Sequence, residues 1–212
     1  MQNDLRYELH NVLSGKSEVR FGKIIQTISC YLKNCERASG TSEGSKYHRS
    51  EETKSLELFI SKNDLWIKEL DTSLYISEGA EQKVYLDGNE NVFKLNDAIY
   101  YSFWVEYFYS LLLHNYFFAD TAYDLIGFVK ENDILYAVVQ QSFVTITKNT
   151  DLIKVKQFLA SNGFENNRNN DYYSPELGII LEDLHDENVL TKDDMLYFID
   201  TVFFLTEEFW KI

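Results

Sequence analysis

The chain has little cysteine, few basic residues and no long hydrophobic run free of charge, and each shortage removes a class of function. Cys30 and Cys35 are its 2 cysteines in 212 residues. Their C-x4-C spacing has no second pair, and the nearest histidine in sequence is His48, so two reduced thiols are expected and a zinc site is not. Lysine and arginine total 20 against 34 acids, a formal net charge of −14. A field of that sign repels phosphate backbones and argues against a nucleic-acid partner. A nucleotide pocket is not excluded, because it needs only local positive charge and a metal ion. No apolar run follows Met1-Gln2-Asn3-Asp4-Leu5-Arg6, so no secretory signal is expected and the chain reads as cytoplasmic. The most apolar stretch, residues 99–118, is long enough to span a bilayer. It holds Glu106, His114 and Asn115, so it reads as a buried helix and no membrane partner is expected.

What the chain does have is apolar mass, 45% hydrophobic and 16% aromatic, enough for a sizeable core. Two helices are expected first, over 3–14 and 18–37, with apolar faces Leu5, Leu9, Val12, Leu13 and Ile24, Ile25, Ile28, Leu32. Ser17 is a candidate N-cap for the second. Residues 38–55 turn polar and read as a linker between this helical appendage (1–37) and the rest (56–212). Residues 56–67 are ambiguous, with a strand pair around Ser61 to Asp64 the working assignment. A β series follows: Leu74 to Ile76, Lys83 to Leu86, a turn at Asp87-Gly88, then Asn91 to Leu95. A long helix is expected over 98–118, a hairpin over 126–139 and a helix over 150–161. Residues 166–173 read as a polar loop, and Leu177 to Leu181 and Met195 to Ile199 as short strands. The order is α+β.

Between those last strands lies Asp183-Leu184-His185-Asp186-Glu187-Asn188-Val189-Leu190, with Asp200 closing a hairpin after Thr191 to Asp194. Phosphoryl transfer asks for a cation on the phosphates, a group orienting the attacking hydroxyl, and oxygen ligands for Mg²⁺. Asp183, then Asn188 five residues on, then Asp200 supply the oxygens in that order. The bland alternative is an acidic, solvated turn.

This segment resembles the catalytic loop of kinase-like enzymes, H-R-D-L-x-x-x-N in its protein-kinase form. His185 makes it closer to the aminoglycoside-phosphotransferase style. With Gly163-Phe164, Tyr172-Tyr173 and Phe198-Ile199-Asp200, it is similar to the kinase family found in bacterial and phage polyvalent proteins, over about residues 70–205. The resemblance implies a protein-kinase-like fold: a small antiparallel-sheet N-lobe and, with so few residues after Asp200, a truncated C-lobe. It also implies ATP as co-substrate and Mg²⁺ as cofactor. By position it assigns Asp183 to the acceptor hydroxyl, Asn188 and Asp200 to the metal, and Lys94 to the α- and β-phosphates. Glu106 becomes the partner of Lys94, Gly79 the remaining phosphate-loop glycine, and Val84 the adenine-packing residue. Val138 to Gln141, with Gln140 central, becomes the hinge. Read without the resemblance, Lys94 is equally a solvated strand charge and Glu106 equally a residue on a solvated face. Ser77 and Gln82 stand where two of three phosphate-loop glycines are usual, which weakens cradling by backbone N–H groups. Two functions follow: phosphoryl transfer to an unidentified hydroxyl, or a pseudokinase-like module binding nucleotide or a protein partner without catalysis.

Overall fold

The computed structural model describes residues 2–39, 48–71, 73–78, 82–88 and 90–211. Gly79 and the centre of the expected linker, 40–47, lie outside the described residues. Three helices come first: α1 (Gln2–Leu13), α2 (Lys23–Ser39) and α3 (Arg49–Lys62). The second begins later than its periodicity suggests, because Gly22 adopts φ 77° and its carbonyl accepts the first helical bond, from Gln26. Ser17 is therefore no N-cap, and Ile24 is exposed while Ile25, Ile28 and Leu32 are buried.

Helix α3 replaces both the end of the expected linker and the expected strand pair. Its buried residues are Glu52, Leu56 and Ile60. One residue per turn faces inward and the first is a carboxylate, so the apolar signal is only two residues wide. The Glu51 side chain accepts from the backbone N–H of His48 at 3.0 Å and helps start the helix.

Strands β1 (Tyr75–Glu78), β2 (Gln82–Asp87) and β3 (Asn91–Asn96) form a meander, which leads into α4 (Trp104–Phe117). Strands β4 (Asp124–Glu131) and β5 (Ile134–Ser142) complete an antiparallel sheet of order β1-β2-β3-β5-β4. Asn132 and Asp133, both at positive φ, make the two-residue turn between β4 and β5. Helix α4 is the hub: every residue from Tyr107 to Asn115 is buried. Leu9 and Val12 of α1, Ile25 and Ile28 of α2, and Leu56 of α3 join Phe108 and Leu112 in one core.

After α5 (Leu152–Ser161), capped by the Asp151 carboxylate on the Ile153 N–H, come β6 (Glu165–Arg168) and β7 (Asp171–Ser174). These two strands stand where a polar loop is expected. Every residue of β6 is exposed, so this edge strand carries no alternating pattern. Strand β8 (Ile179–Glu182) precedes the acidic loop, β9 (Val189–Lys192) and β10 (Met195–Phe198) form a hairpin, and β11 (Val202–Leu205) follows. The second sheet has the order β11-β8-β7-β6. The hairpin turn is narrower than expected, just Asp193 and Asp194, both at positive φ. The fold is α+β with antiparallel sheets, and no helix among the described residues is long and apolar enough to cross a membrane.

Candidate active site

The β9–β10 hairpin joins Asn188 to Asp200. The Ile199 N–H donates to the Asn188 carbonyl at 2.9 Å, so the residue before β9 and the residues after β10 are held side by side. Upstream, Asp183 sits at φ 65°, a left-handed conformation that aspartate tolerates better than most residues. Donation from the Asp183 N–H to the Asp171 carboxylate at 3.2 Å and from the Leu184 N–H to the Asn170 carbonyl at 3.2 Å anchors this bend to the β6–β7 turn. The Asn188 amide then donates back to the Asp183 carbonyl and to its Oδ2, both at 2.8 Å. His185 Nε2 lies 3.2 Å from Asp183 Oδ1. Asp183, His185 and Asn188 are thus one bonded unit.

Lys94 reaches this unit from β3. Its side chain is 3% exposed, and its ammonium donates to Asp200 Oδ1 at 2.8 Å and to the Ile199 carbonyl at 2.9 Å. A buried ammonium needs such compensation, since stripping its water without a partner is costly. The Tyr123 hydroxyl donates to the same Ile199 carbonyl at 2.6 Å and lies 3.2 Å from Asp200 Oδ1. Burial and the Asp200 charge push the Tyr123 phenol well above its ordinary pKa, so it stays protonated and acts as donor. His114, wholly buried, bonds Thr201 Oγ1 at 2.7 Å and the Thr121 carbonyl at 2.8 Å. Burial pulls its pKa down to about 3, so the ring is neutral.

Two recesses meet at Asn188 and Asp200. One, of about 330 Å³, is lined by Val84, Val92, Lys94, Ser142 and Leu190 together with those two residues. The other, of about 660 Å³, is lined by Asp183, His185, Asn188 and Asp200 together with Tyr100 and Tyr101. Burial, with Asp171 and Asp183 as charged neighbours, raises the pKa of Glu182, which also lines this second recess. Asp200 Oδ2 and Asn188 Oδ1 carry no hydrogen bond among the described residues, so two oxygens are available to a hard cation. That donor set suits Mg²⁺ completed by phosphate and water. No cluster of three or more His, Cys, Asp or Glu able to cage a metal occurs among the described residues.

The structure therefore brings together Lys94, Val84, Asp183, Asn188 and Asp200. It does not bring Glu106 to Lys94: the Glu106 carboxylate accepts from the Phe103 N–H at 3.2 Å and lines a different cavity, between α2 and α4. Glu106 stands in the first turn of α4, where an acid is drawn to free N–H groups before it can reach β3. Gln140 is also placed elsewhere than expected. Strand β5 is paired through Ser142, and the Gln140 side chain donates to Asp87 at 2.6 Å. Of the expected hinge only Gln141 lines the Lys94 recess, followed by Ser142, Phe143 and Val144. The contacts of Tyr123, His114 and Thr201 were not foreseen from the sequence, because they join residues far apart in the chain: His114 on α4 to Thr201, and Tyr123 before β4 to Ile199.

No curated protein matches the chain. A family profile described as a serine/threonine/tyrosine kinase found in polyvalent proteins matches residues 49–207, from the start of α3 to the end of β11 and just beyond. With three quarters of its length matched and the kinase-type loop residues gathered around one cleft, this chain belongs to that kinase family.

Proposed function

We propose that the protein is an ATP- and Mg²⁺-dependent phosphotransferase that acts on a hydroxyl acceptor. The observation that carries this reading is the buried Lys94–Asp200 pair at 2.8 Å, flanked by Asn188 and opening toward Asp183. Lys94 supplies the positive charge that draws the α- and β-phosphates into the smaller recess, where Val84 and Val92 pack on the base. Bound magnesium supplies neutralisation of the phosphate oxygens, with Asn188 Oδ1 and Asp200 Oδ2 as its protein ligands. Asp183 orients the acceptor hydroxyl: the acceptor oxygen forms a bond to the terminal phosphorus, the bond to the diphosphate breaks, and the acceptor proton passes to the Asp183 carboxylate. Asn188 and His185 hold that carboxylate in place. The two cysteines, both free, fit a reducing, cytoplasmic setting.

The test is phosphate release and transfer by wild type and Asp183→Asn. The variant keeps size and hydrogen bonding but loses basicity, so turnover is expected to fall by roughly 10²–10⁴-fold with Mg-ATP still raising the melting temperature. Equal phosphate release by the two proteins overturns the catalytic reading. One observation favours the second reading, a nucleotide-binding module without catalysis: both Asp183 carboxylate oxygens already have partners, His185 and Asn188. Stabilisation by Mg-ATP with no turnover above a Lys94→Ala control is the outcome that reading expects.

A further inference from the structure

Resting on the phosphotransferase reading, we infer that Tyr123 is the positioning residue for Asp200, filling from β4's approach the supporting role that Glu106 on α4 does not fill. Three observations converge on it. First, the Lys94 ammonium donates to both the Ile199 carbonyl and Asp200 Oδ1, and the Tyr123 hydroxyl, with a single proton to give, lies against the same two oxygens, 2.6 Å from the carbonyl and 3.2 Å from Oδ1. The ammonium and the phenol thus restrain the same carboxylate oxygen and the backbone carbonyl before it, while Oδ2 carries no hydrogen bond among the described residues and Asp200 lines the recesses together with Asn188. Second, the Lys94 ammonium stands 5.4 Å from the centre of the Tyr123 ring, so the same side chain also holds the cation. Third, Tyr123 is itself held at both backbone atoms. The Asn115 amide donates to its carbonyl at 2.8 Å and accepts from its N–H at 2.7 Å. The His114 ring packs on it at 4.6 Å.

The chemistry explains why a phenol serves here. A glutamate beside Lys94 would be an acceptor, competing with Asp200 for the ammonium and repelling its carboxylate. A neutral phenol is a donor to the carboxylate and offers its ring face to the cation, so it adds to both partners without a new charge. Helix α4 thereby reaches the metal-binding oxygen through Asn115, His114 and Tyr123 and needs no ion pair of its own.

The test is a titration of MgCl2 at fixed ATP, read as the Mg²⁺ midpoint of thermal stabilisation. Tyr123→Phe removes one hydroxyl and keeps the ring. Its Mg²⁺ midpoint is expected to rise about tenfold, the usual loss when a group that orients a metal ligand is removed, while its melting temperature without ligands changes little. Asn115→Ala, which frees the Tyr123 backbone, is expected to shift the midpoint in the same direction by less; it also serves if Tyr123→Phe fails to fold. Glu106→Gln is expected to leave the midpoint in place. An unmoved midpoint in Tyr123→Phe, whatever its melting temperature, overturns the inference while leaving the phosphotransferase reading intact. A midpoint moved as far by Glu106→Gln as by Tyr123→Phe overturns it too. No Mg-dependent stabilisation of wild type at all overturns both.

Discussion

The two ends of α4 are both closed by buried titratable groups, and they do opposite work. At the N-terminal end, Glu52 of α3 is 1% exposed and accepts from the Trp104 and Val105 N–H groups at 2.6 and 3.0 Å. These are free first-turn donors, so the contact caps α4 and fastens α3 to it. Burial nevertheless raises the Glu52 pKa to about 7 from an ordinary 4.5, outweighing both hydrogen bonds and the nearby Arg49 charge. At the C-terminal end, His114 is neutral and passes contacts to Thr201 and Tyr123 beside Asp200. One end spends its carboxylate on architecture; the other keeps its charged groups, Lys94 and Asp200, paired at a cleft. The first turn of α4 carries caps, from Glu52 and Glu106, and no ion pair with Lys94.

Three perturbations test that division. The largest effect is expected for Lys94→Met, which leaves Asp200 without its buried cation. Chemical denaturation should show a loss of roughly 3–5 kcal/mol, and the Mg-ATP stabilisation should vanish with it. Retention of the nucleotide response would place binding away from this end of α4. Next is the pH dependence of the capping end. The folded pKa of Glu52 lies above its unfolded value, so the native state holds the proton between pH 4.5 and about 7. Its contribution is complete below 4.5 and drains as pH rises toward 7, by on the order of 2–3 kcal/mol. His114 works the other way, losing stability as pH falls below 6.5 because only the unfolded chain takes up the proton. The difference in unfolding free energy between wild type and Glu52→Gln cancels the His114 part. It should slope downward across that window, and a flat difference would mean Glu52 is not buried as described. The smallest effect belongs to Glu106→Ala, about 0.5–1 kcal/mol from loss of a cap, with the Mg-ATP response unchanged. A lost nucleotide response there would erase the contrast between the two ends.

Much of this molecule was legible from residue order. The β2–β3 meander, the β4–β5 hairpin and α5 carry strong local signals: alternating apolar residues, Asp87-Gly88, and Asp151 before an apolar run. The Asp183, Asn188 and Asp200 set was legible because a loop–hairpin arrangement puts its members close together whatever surrounds it. The failures share one cause. α3 fully buries only Glu52, Leu56 and Ile60, β6 is exposed throughout, and the start of α2 depends on Gly22 at positive φ. In each, local pattern is too thin to compete with alternatives, and neighbouring elements decide.

By itself the sequence determined the α+β class and the kinase-type loop with the Asp183, Asn188 and Asp200 side chains that line one recess, because these follow from short-range spacing and side-chain type. Tertiary structure alone decided which partner Lys94 takes. Glu106 is 12 residues from Lys94 and Asp200 is 106 residues away, yet the distant residue is bonded to it. A helix first turn claims its own acid through free N–H groups, whereas the segment after the β9–β10 hairpin, held by Tyr123 at Ile199 and by His114 at Thr201, carries Asp200 to the Lys94 side chain on β3.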